Sequence, residues 1–209
     1  SATITSIDFN TSTSAVPLSK TGLNVINASY GLFAKSGYSA SQINFGTLQN
    51  SVINDAKTGA AIVSKAAGNY AVAVNGIYNG NTDYLNLALK GAPTAIYVGA
   101  LNSNGSTTNK ATLASYSNFA GSDTTIQKQF LVVGVEGSKT GLYGTSFAAP
   151  IVSGYAAILG SKFTTANATQ ITNQLLNTAR TDTIANYSAA VYGRGEASLS
   201  RALAPVSIK

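Results

Sequence analysis

The stretch that decides the fold is Gly144-Thr145-Ser146-Phe147-Ala148-Ala149-Pro150, which continues directly into Ile151-Val152-Ser153-Gly154-Tyr155-Ala156-Ala157-Ile158-Leu159-Gly160. No charged residue occurs between Phe147 and Leu159, and apolar side chains fall on every face of the helix that this pattern implies. This pattern predicts a helix that is buried on all sides. The helix begins with the hydroxyl of Ser146, at a point where free backbone N–H groups and the positive end of the helix dipole favour negative charge.

Two interpretations of Ser146 compete. Ser and Thr are ordinary helix N-caps, so Ser146 could simply satisfy a backbone N–H group. The alternative is a catalytic nucleophile, because Gly-Thr-Ser-x-Ala-Ala-Pro at 144–150 resembles the serine motif of the subtilisin-like peptidases. Gly144 allows a close approach of the backbone in front of the serine, and Pro150 is tolerated because it falls early in the helix.

The rest of the chain alternates β-prone and helical segments. Strands are predicted at residues 2–9, 24–29, 60–67, 95–101 and 130–135, and helices at 49–57, 168–178 and 196–204, with at most one helical turn at 18–23. A strand, a helix and another strand in succession imply a right-handed crossover, so the fold class is α/β with a mainly parallel sheet flanked by helices. No repeat or long linker divides the chain, so residues 1–209 are predicted to form one domain.

Composition excludes several classes of function. The chain has 209 residues, of which 44% are hydrophobic and 10% charged, and its net charge is +6. The basic residues occur singly, so no nucleic-acid interface is predicted, and no apolar run is long enough to span a bilayer. Cysteine is absent and the seven carboxylates are scattered, so no metal site and no cofactor are predicted. A low-charge, cysteine-free chain rich in Ser, Thr and Asn is compatible with an exported bacterial protein, either extracellular or at the cell surface.

Asn69 is the second candidate, because it follows a predicted buried strand and the turn residue Gly68. Asn in such a place is most often a turn residue that tolerates positive φ. Acyl transfer, however, requires a preorganised donor for the oxyanion, and a side-chain amide beside the backbone N–H of the nucleophile would supply it. Asn69 and Ser146 are 146 − 69 = 77 positions apart, so only the fold could bring them together.

The resemblance to the subtilisin-like peptidases extends over nearly the whole chain. It includes the segments 24–31, 66–69, 93–100 and 115–118 and the Tyr-Gly-Arg-Gly at 192–195, in the order of the family. The resemblance implies a subtilisin-like three-layer fold, Ser146 as nucleophile, Asn69 as oxyanion donor and a peptide or protein as substrate. It also implies that two segments line the primary specificity pocket. These are Ser29, Tyr30 and Gly31 on one side and Ala66, Ala67 and Gly68 on the other. Val133-Gly134-Val135 departs from the Ala-Pro-Gly usual in the family.

The family's general base is missing, since the chain contains no histidine. A serine hydroxyl is a poor nucleophile until a positioned base removes its proton. Lys65 lies within a predicted strand where nothing in the sequence desolvates its ammonium group, so it is a poor candidate. Asp8 is only 29 − 8 = 21 positions before Ser29, too few for a histidine segment between them, and is interpreted as a strand-end residue. The related sedolisin branch places Asp at the oxyanion position, and Asn69 argues against it.

We therefore expect the N-terminal portion of the fold, with the Asp and His segments, to lie upstream of Ser1. It would be a separate bound fragment, or a second chain would take its place and complete the sheet. Two alternatives remain open: an inactive subtilase fold kept as a binding or structural module, and a carbohydrate or surface adhesin indicated by the eleven tyrosines, which are dispersed along the sequence.

Overall fold

A parallel four-stranded sheet forms the centre of the protein in a computed structural model that describes residues 2–208. Its strands lie in the order β1 (Val25–Ala28), β3 (Ile62–Ala66), β5 (Ala95–Leu101) and β6 (Phe130–Gly134). All three pairings are parallel. The predicted α/β class with a mainly parallel sheet is therefore confirmed. A separate antiparallel pair is formed by β2 (Phe33–Lys35) and β4 (Asn81–Asp83).

Helices cover both faces of the sheet. The helices are α1 (Thr47–Thr58), α2 (Tyr84–Leu89), α3 (Thr124–Gln129), α4 (Gly137–Thr140), α5 (Thr145–Lys162), α6 (Ala168–Asn177), α7 (Ala189–Tyr192) and α8 (Leu199–Leu203), with a 3₁₀ turn at Ala40–Gln42. Alternate side chains of β3 and β5 enter two apolar cores, one shared with α1, α2 and α3 and the other with α5, α6 and α8. This separation follows from the twofold alternation of strand side chains.

Predicted elements are confirmed where a clear local signal, such as a terminating glycine or a continuous apolar run, defines them. Helix α1 ends at Gly59, which adopts φ 74°, and every residue of β5 is buried. The remaining shorter elements, β2, β4, α2, α3, α4 and α7, were not predicted. They are three to six residues long, and tertiary contacts rather than a sequence period define them.

Two predictions near the N-terminus are wrong. Residues 2–9 form no strand: their backbone pairs with none of the described strands, and Ile4 is 93% exposed. Asp8 is accordingly not a strand-end residue; its side chain accepts a hydrogen bond from the backbone N–H of Asn10 in an exposed turn. No helical turn forms at residues 18–23, which agrees with the prediction of at most one.

Helix α5 is also less buried than its sequence predicts. Ala149, Val152 and Ala156 are fully enclosed against the sheet, and α5 packs on all four strands. The opposite face is exposed along a line that we call the α5 stripe. The stripe consists of Phe147, Pro150, Gly154 and Ile158. One sheet can cover only one face of a helix, so a uniformly apolar helix keeps an open face unless a further layer covers it. None of the helices in the described residues has the length and apolar character of a membrane span.

The buried side chain of Gln129, the last residue of α3, forms hydrogen bonds with the turn between α2 and β5. The amide nitrogen of Gln129 donates to the carbonyl oxygens of Leu89 and Ala92 at 3.1 and 3.0 Å, and its oxygen accepts from Gly91 N–H at 2.7 Å. The side chain therefore satisfies the backbone of the turn that leads into β5.

Replacing Gln129 with Leu, which has a similar volume, should lower the free energy of unfolding by about 1–3 kcal/mol. Gly91 N–H would lose its partner, and the carbonyl groups of Leu89 and Ala92 would each keep only a backbone hydrogen bond. Urea denaturation followed by circular dichroism measures the change. Lys128→Leu introduces the same side chain at the exposed neighbouring position and should change stability little. Equal effects of the two variants would contradict this role of Gln129.

Candidate active site

The two predicted pocket segments leave the sheet side by side. Strands β1 and β3 are parallel neighbours in which Ala28 lies opposite Lys65. Ser29–Gly31 and Ala66–Gly68 therefore continue from the carboxyl ends of adjacent strands, the edge at which α/β sheets place their binding sites. Gly68 adopts φ 117°, and a Cβ there would lie 2.3 Å from the Asn118 amide nitrogen, so only glycine fits.

Ser146 occupies the second residue of α5 and is not its N-cap. The N-cap is Gly144, which adopts φ 130° and has no side chain to cap the helix. A Cβ at Gly144 would lie 3.3 Å from the Asn69 amide nitrogen, which confirms the close approach predicted for this glycine. The interpretation of Ser146 as a simple cap is therefore wrong, and its hydroxyl is left for other contacts.

Asn69 is locked against the residue that precedes Ser146. Its Oδ1 accepts hydrogen bonds from the backbone N–H of Thr145 at 2.7 Å and from Thr145 Oγ1 at 2.9 Å. Thr145 Oγ1 in turn accepts from Gly68 N–H at 3.1 Å. Because a backbone N–H can only donate, the atom of Asn69 that faces Thr145 must be the oxygen, and this fixes the orientation of the amide.

This orientation leaves two donors at the start of α5. The amide nitrogen of Asn69 and the backbone N–H of Ser146 have no hydrogen-bond partner among residues 2–208. A free N–H at the second position of a helix is expected, because the carbonyl group four residues earlier lies outside the helix and cannot accept it. Free donors at the positive end of a helix can stabilise negative charge.

Ser29 and Ser146 are joined by a reciprocal pair of hydrogen bonds. Ser29 Oγ donates to the carbonyl oxygen of Ser146 at 3.0 Å, and Ser146 Oγ donates to the carbonyl oxygen of Ser29 at 3.3 Å. The Ser146 carbonyl is available because Pro150, four residues later, has no N–H to bond it. Pro150 is the sixth residue of α5, so the helix tolerates it through this external contact and not through its place in the first turn.

Asn118 holds the loop that carries Asn69, a role that the sequence analysis missed. Its amide nitrogen donates to Ala67 O at 3.0 Å, and its Oδ1 accepts from the N–H groups of Tyr70 and Val72 at 3.0 and 3.2 Å. These bonds hold the backbone both before Asn69, at Ala67, and after it, at Tyr70 and Val72. The only signal in the sequence was the Ser-Tyr-Ser-Asn segment that carries part of the resemblance, and it indicated no partner for Asn118.

The comparisons with known proteins agree with this architecture. The profile of the subtilase family matches residues 3–195. The chain belongs to the subtilase family. No curated protein matches the sequence significantly.

Solved structures similar to this subtilase chain include several proteases. The patellamide maturation protease PatA matches with 26% identity and a TM-score of 0.59 over 86% of this chain. A protease from Pseudoalteromonas arctica matches with 21% identity and a TM-score of 0.57 over 92% of this chain, which shows a shared fold. The chain spans 61% and 54% of the lengths of these two proteins. The subtilisin-like fold predicted from the resemblance is thus confirmed.

Lys65 differs from its prediction. Its side chain is only 1% exposed. The fold therefore removes water from an ammonium group for which the sequence indicated no burial. The Nζ atom donates to Asp83 Oδ2 at 3.0 Å and to Ala66 O at 2.6 Å. Asp83 also accepts from Leu32 N–H at 2.9 Å. Through Asp83, this ion pair ties Leu32, in the segment after β1, to the end of β3. The Lys65 ammonium is therefore engaged by Asp83 and not by Ser146.

Tyr30 extends into the same buried region. Burial, and secondarily the charge of Asp83, raises the pKa of Tyr30 to about 12, so its hydroxyl stays protonated at neutral pH. The ring stacks on Phe9 with centroids 4.4 Å apart. The N-terminal segment therefore contacts one of the predicted pocket residues, although it forms no strand.

The tyrosines are not all dispersed in space. Tyr70 stacks on Tyr78 with ring centroids 4.5 Å apart. It also packs against Phe33 in a T-shaped arrangement with centroids 5.2 Å apart, and all three side chains are exposed. Tyr70 directly follows Asn69, so this aromatic group lies beside the candidate site. In residues 2–208 no three acidic, histidine or cysteine side chains gather in a group that could hold a metal ion.

Replacing Lys65 with Met should lower the free energy of unfolding by about 3–5 kcal/mol, because Asp83 would be left charged and buried without its partner. Asp83→Asn keeps the oxygen that accepts from Leu32, so the double variant Lys65→Met/Asp83→Asn should lose at least about 1 kcal/mol less than the sum of the single variants. Guanidinium denaturation of the four proteins measures this coupling.

The exposed pair of Lys139 and Glu136 provides the control, and Lys139→Met should have a far smaller effect. Strict additivity of the Lys65 and Asp83 variants would show that the pair does not couple the two segments.

Proposed function

We propose that this chain is the C-terminal part of a subtilisin-like serine endopeptidase domain, with Ser146 as nucleophile and Asn69 as oxyanion donor. The observation that carries the proposal is the contact of Asn69 Oδ1 with Thr145. With the oxygen bound to Thr145, the amide nitrogen of Asn69 has no partner among residues 2–208, and it lies 3.3 Å from where a Cβ of Gly144, the N-cap of α5, would be. A free donor at the positive end of a helix supports a role in binding an oxyanion. The cap interpretation, in contrast, gives no reason for an amide locked in this orientation.

The proposed reaction proceeds through an acyl-enzyme. Ser146 Oγ attacks the carbonyl carbon of a peptide bond while a base takes the hydroxyl proton, and the carbonyl oxygen becomes an oxyanion held by Asn69 Nδ2 and Ser146 N–H. The C–N bond then breaks, and the departing amine takes the proton from the base. A water molecule repeats the sequence on the ester and releases the acid. Ser29–Gly31 and Ala66–Gly68 would hold the substrate on either side.

The base must come from outside the 209 residues, which contain no histidine. Lys65 cannot serve, since its Nζ is engaged by Asp83 and Ala66. We therefore propose that an upstream segment with Asp and His, or a second chain, completes the triad. Without it, this chain alone would be inactive.

Two features indicate where such a segment would pack. Strand β1 is an edge strand that pairs only with β3 among the described strands, so its second edge is open to a further strand. The exposed α5 stripe begins at Phe147, the residue after the proposed nucleophile. The chain also spans only 61% of the PatA structure, so the similar protease contains substantially more protein than this chain.

The low charge and absence of cysteine support export from a bacterial cell, with the protein extracellular or at the cell surface. The alternative function is that of a catalytically inactive subtilase fold that serves as a binding or structural module. The specific observation in its favour is the absence of histidine, and the residues that precede Ser1 distinguish the two, since an Asp followed by a His is required only for the peptidase.

The complete natural gene product should react with a fluorophosphonate probe, and Ser146→Ala should abolish the labelling, because the probe bonds to an activated serine oxygen. Asn69→Ala should slow peptide hydrolysis about 10²- to 10³-fold. That magnitude is the one associated with the corresponding donor in subtilisin and is carried over from it. Gel fluorescence and a peptide assay measure the two effects.

Ser153→Ala is the matched control, since Ser153 lies two turns further along α5 and donates only to Ala149 O. Labelling that persists in Ser146→Ala would contradict the assignment of the nucleophile. No labelling of the complete, folded product would favour the inactive module.

Native mass spectrometry of the protein isolated from its natural source should detect this chain together with additional mass from an upstream fragment or a second chain, because β1 and the α5 stripe would otherwise remain uncovered. Denaturing mass spectrometry of the same sample distinguishes a longer chain that includes these residues from a separate fragment bound to them. A single monomeric species with the mass of this chain alone would contradict the proposed partner.

A further inference from the structure

Asn86 is a fully buried amide for which the proposed mechanism gives no role. It is the third residue of α2, and its side-chain nitrogen donates hydrogen bonds to Ala67 O at 3.2 Å and to Val74 O at 3.1 Å. These two carbonyl groups lie at the ends of residues 67–74, which we call the Asn69 loop. A single side chain therefore joins both ends of the loop that carries the proposed oxyanion donor.

The amide of Asn86 is kept at a cost. Both of its partners are carbonyl groups, which can only accept, so the nitrogen must face them and the oxygen must point away. That oxygen, Oδ1, is buried and has no hydrogen-bond partner among the described residues. An apolar side chain of similar size would avoid the cost of the unpartnered oxygen. The two donated bonds are thus the property that this position supplies.

The peptide unit that joins Ala67 to Gly68 is held at both of its polar ends. Ala67 O accepts a second hydrogen bond, from the amide nitrogen of Asn118 at 3.0 Å, so both of its lone pairs are used. The N–H of the same unit, on Gly68, donates to Thr145 Oγ1 at 3.1 Å. The plane of the peptide that leads into Asn69 is consequently fixed by its oxygen and by its hydrogen.

The first turn of α2 is itself held to the sheet. The hydroxyl of Tyr97, in β5, donates to the backbone oxygen of Asn86. Asp83, the N-cap of α2, accepts from Leu85 N–H at 3.1 Å and from Lys65, in β3, at 3.0 Å. A side chain placed on a helical turn with such supports is held more precisely than one placed on a loop.

We propose that Asn86 is a positioning residue for the oxyanion donor, and this inference rests on the proposed function. Asn86 touches no reacting atom. It holds the peptide unit at Ala67, and through it the direction from which the Asn69 amide approaches the start of α5. Stabilisation of an oxyanion depends on donors that are in place before the charge develops, so a small displacement of the amide lowers the rate.

In the complete natural gene product, Asn86→Leu should lower kcat for peptide hydrolysis about ten- to 100-fold, less than loss of the donor itself. KM should change less than about twofold, because the oxyanion forms only in the transition state. In an Asn69→Ala background the same substitution should lower kcat less than about twofold, since the residue through which it acts is gone. Steady-state kinetics of the four proteins measures this coupling.

Asn54→Leu is the matched control, because Asn54 is an exposed asparagine of α1 whose side chain has no hydrogen bond among the described residues, and it should leave kcat unchanged. If Asn86→Leu does not fold, Asn86→Ser, which keeps a donor, replaces it and should give a smaller loss of kcat with the same dependence on Asn69. An equal loss of kcat with and without the Asn69 amide would show a merely structural role and overturn the proposal.

Hydrogen exchange followed by mass spectrometry gives a second readout on the same proteins, one that needs no activity. In the Asn86 variant the N–H groups of the Asn69 loop should exchange at least about tenfold faster, while those of β5 should not change. Unchanged exchange in the loop would overturn the proposal. An unaltered product that hydrolyses no peptide would instead contradict the proposed function, and the exchange rates would still decide whether Asn86 holds the loop.

Discussion

The contact between Asn69 and Thr145 is the constraint on which the candidate site depends. Two hydrogen bonds join the end of β3 to the start of α5, and they cross 76 positions of sequence. They determine at once where α5 begins, which atom of the amide faces outward and how Gly68 must turn. A third bond from Gly68 to Thr145 closes this small network, so a change in any one of the three residues disturbs the other two.

Polar groups without charge perform most of the positioning around this contact. Asn118 fixes the loop on both sides of Asn69, Ser29 bonds the carbonyl left free by Pro150, and Gln129 closes the turn before β5. A chain with only 10% charged residues can build such a site because amides and hydroxyls offer both donors and acceptors. The buried pair of Lys65 and Asp83 is the exception, and it joins Leu32, after β1, to the end of β3.

Two surface features underlie the proposal that further chain completes the domain. The outer edge of β1 has no partner among the described strands, and the α5 stripe is exposed. In the proposed enzyme, the completing segment would cover these features and supply the general base that histidine cannot provide here.

The sequence alone determined the family, four of the five predicted strands and the pairing of Ser146 with Asn69 as candidates, because long buried segments and a seven-residue motif leave few alternatives. It could not give the orientation of the Asn69 amide, the role of Asn118 or the burial of Lys65, since each depends on residues between 18 and 76 positions away. It also predicted a strand at 2–9 and a fully buried α5, because a local pattern shows what a segment could bury and not whether a partner surface lies beside it. Only the tertiary structure decides that, since burial is a property of neighbouring elements.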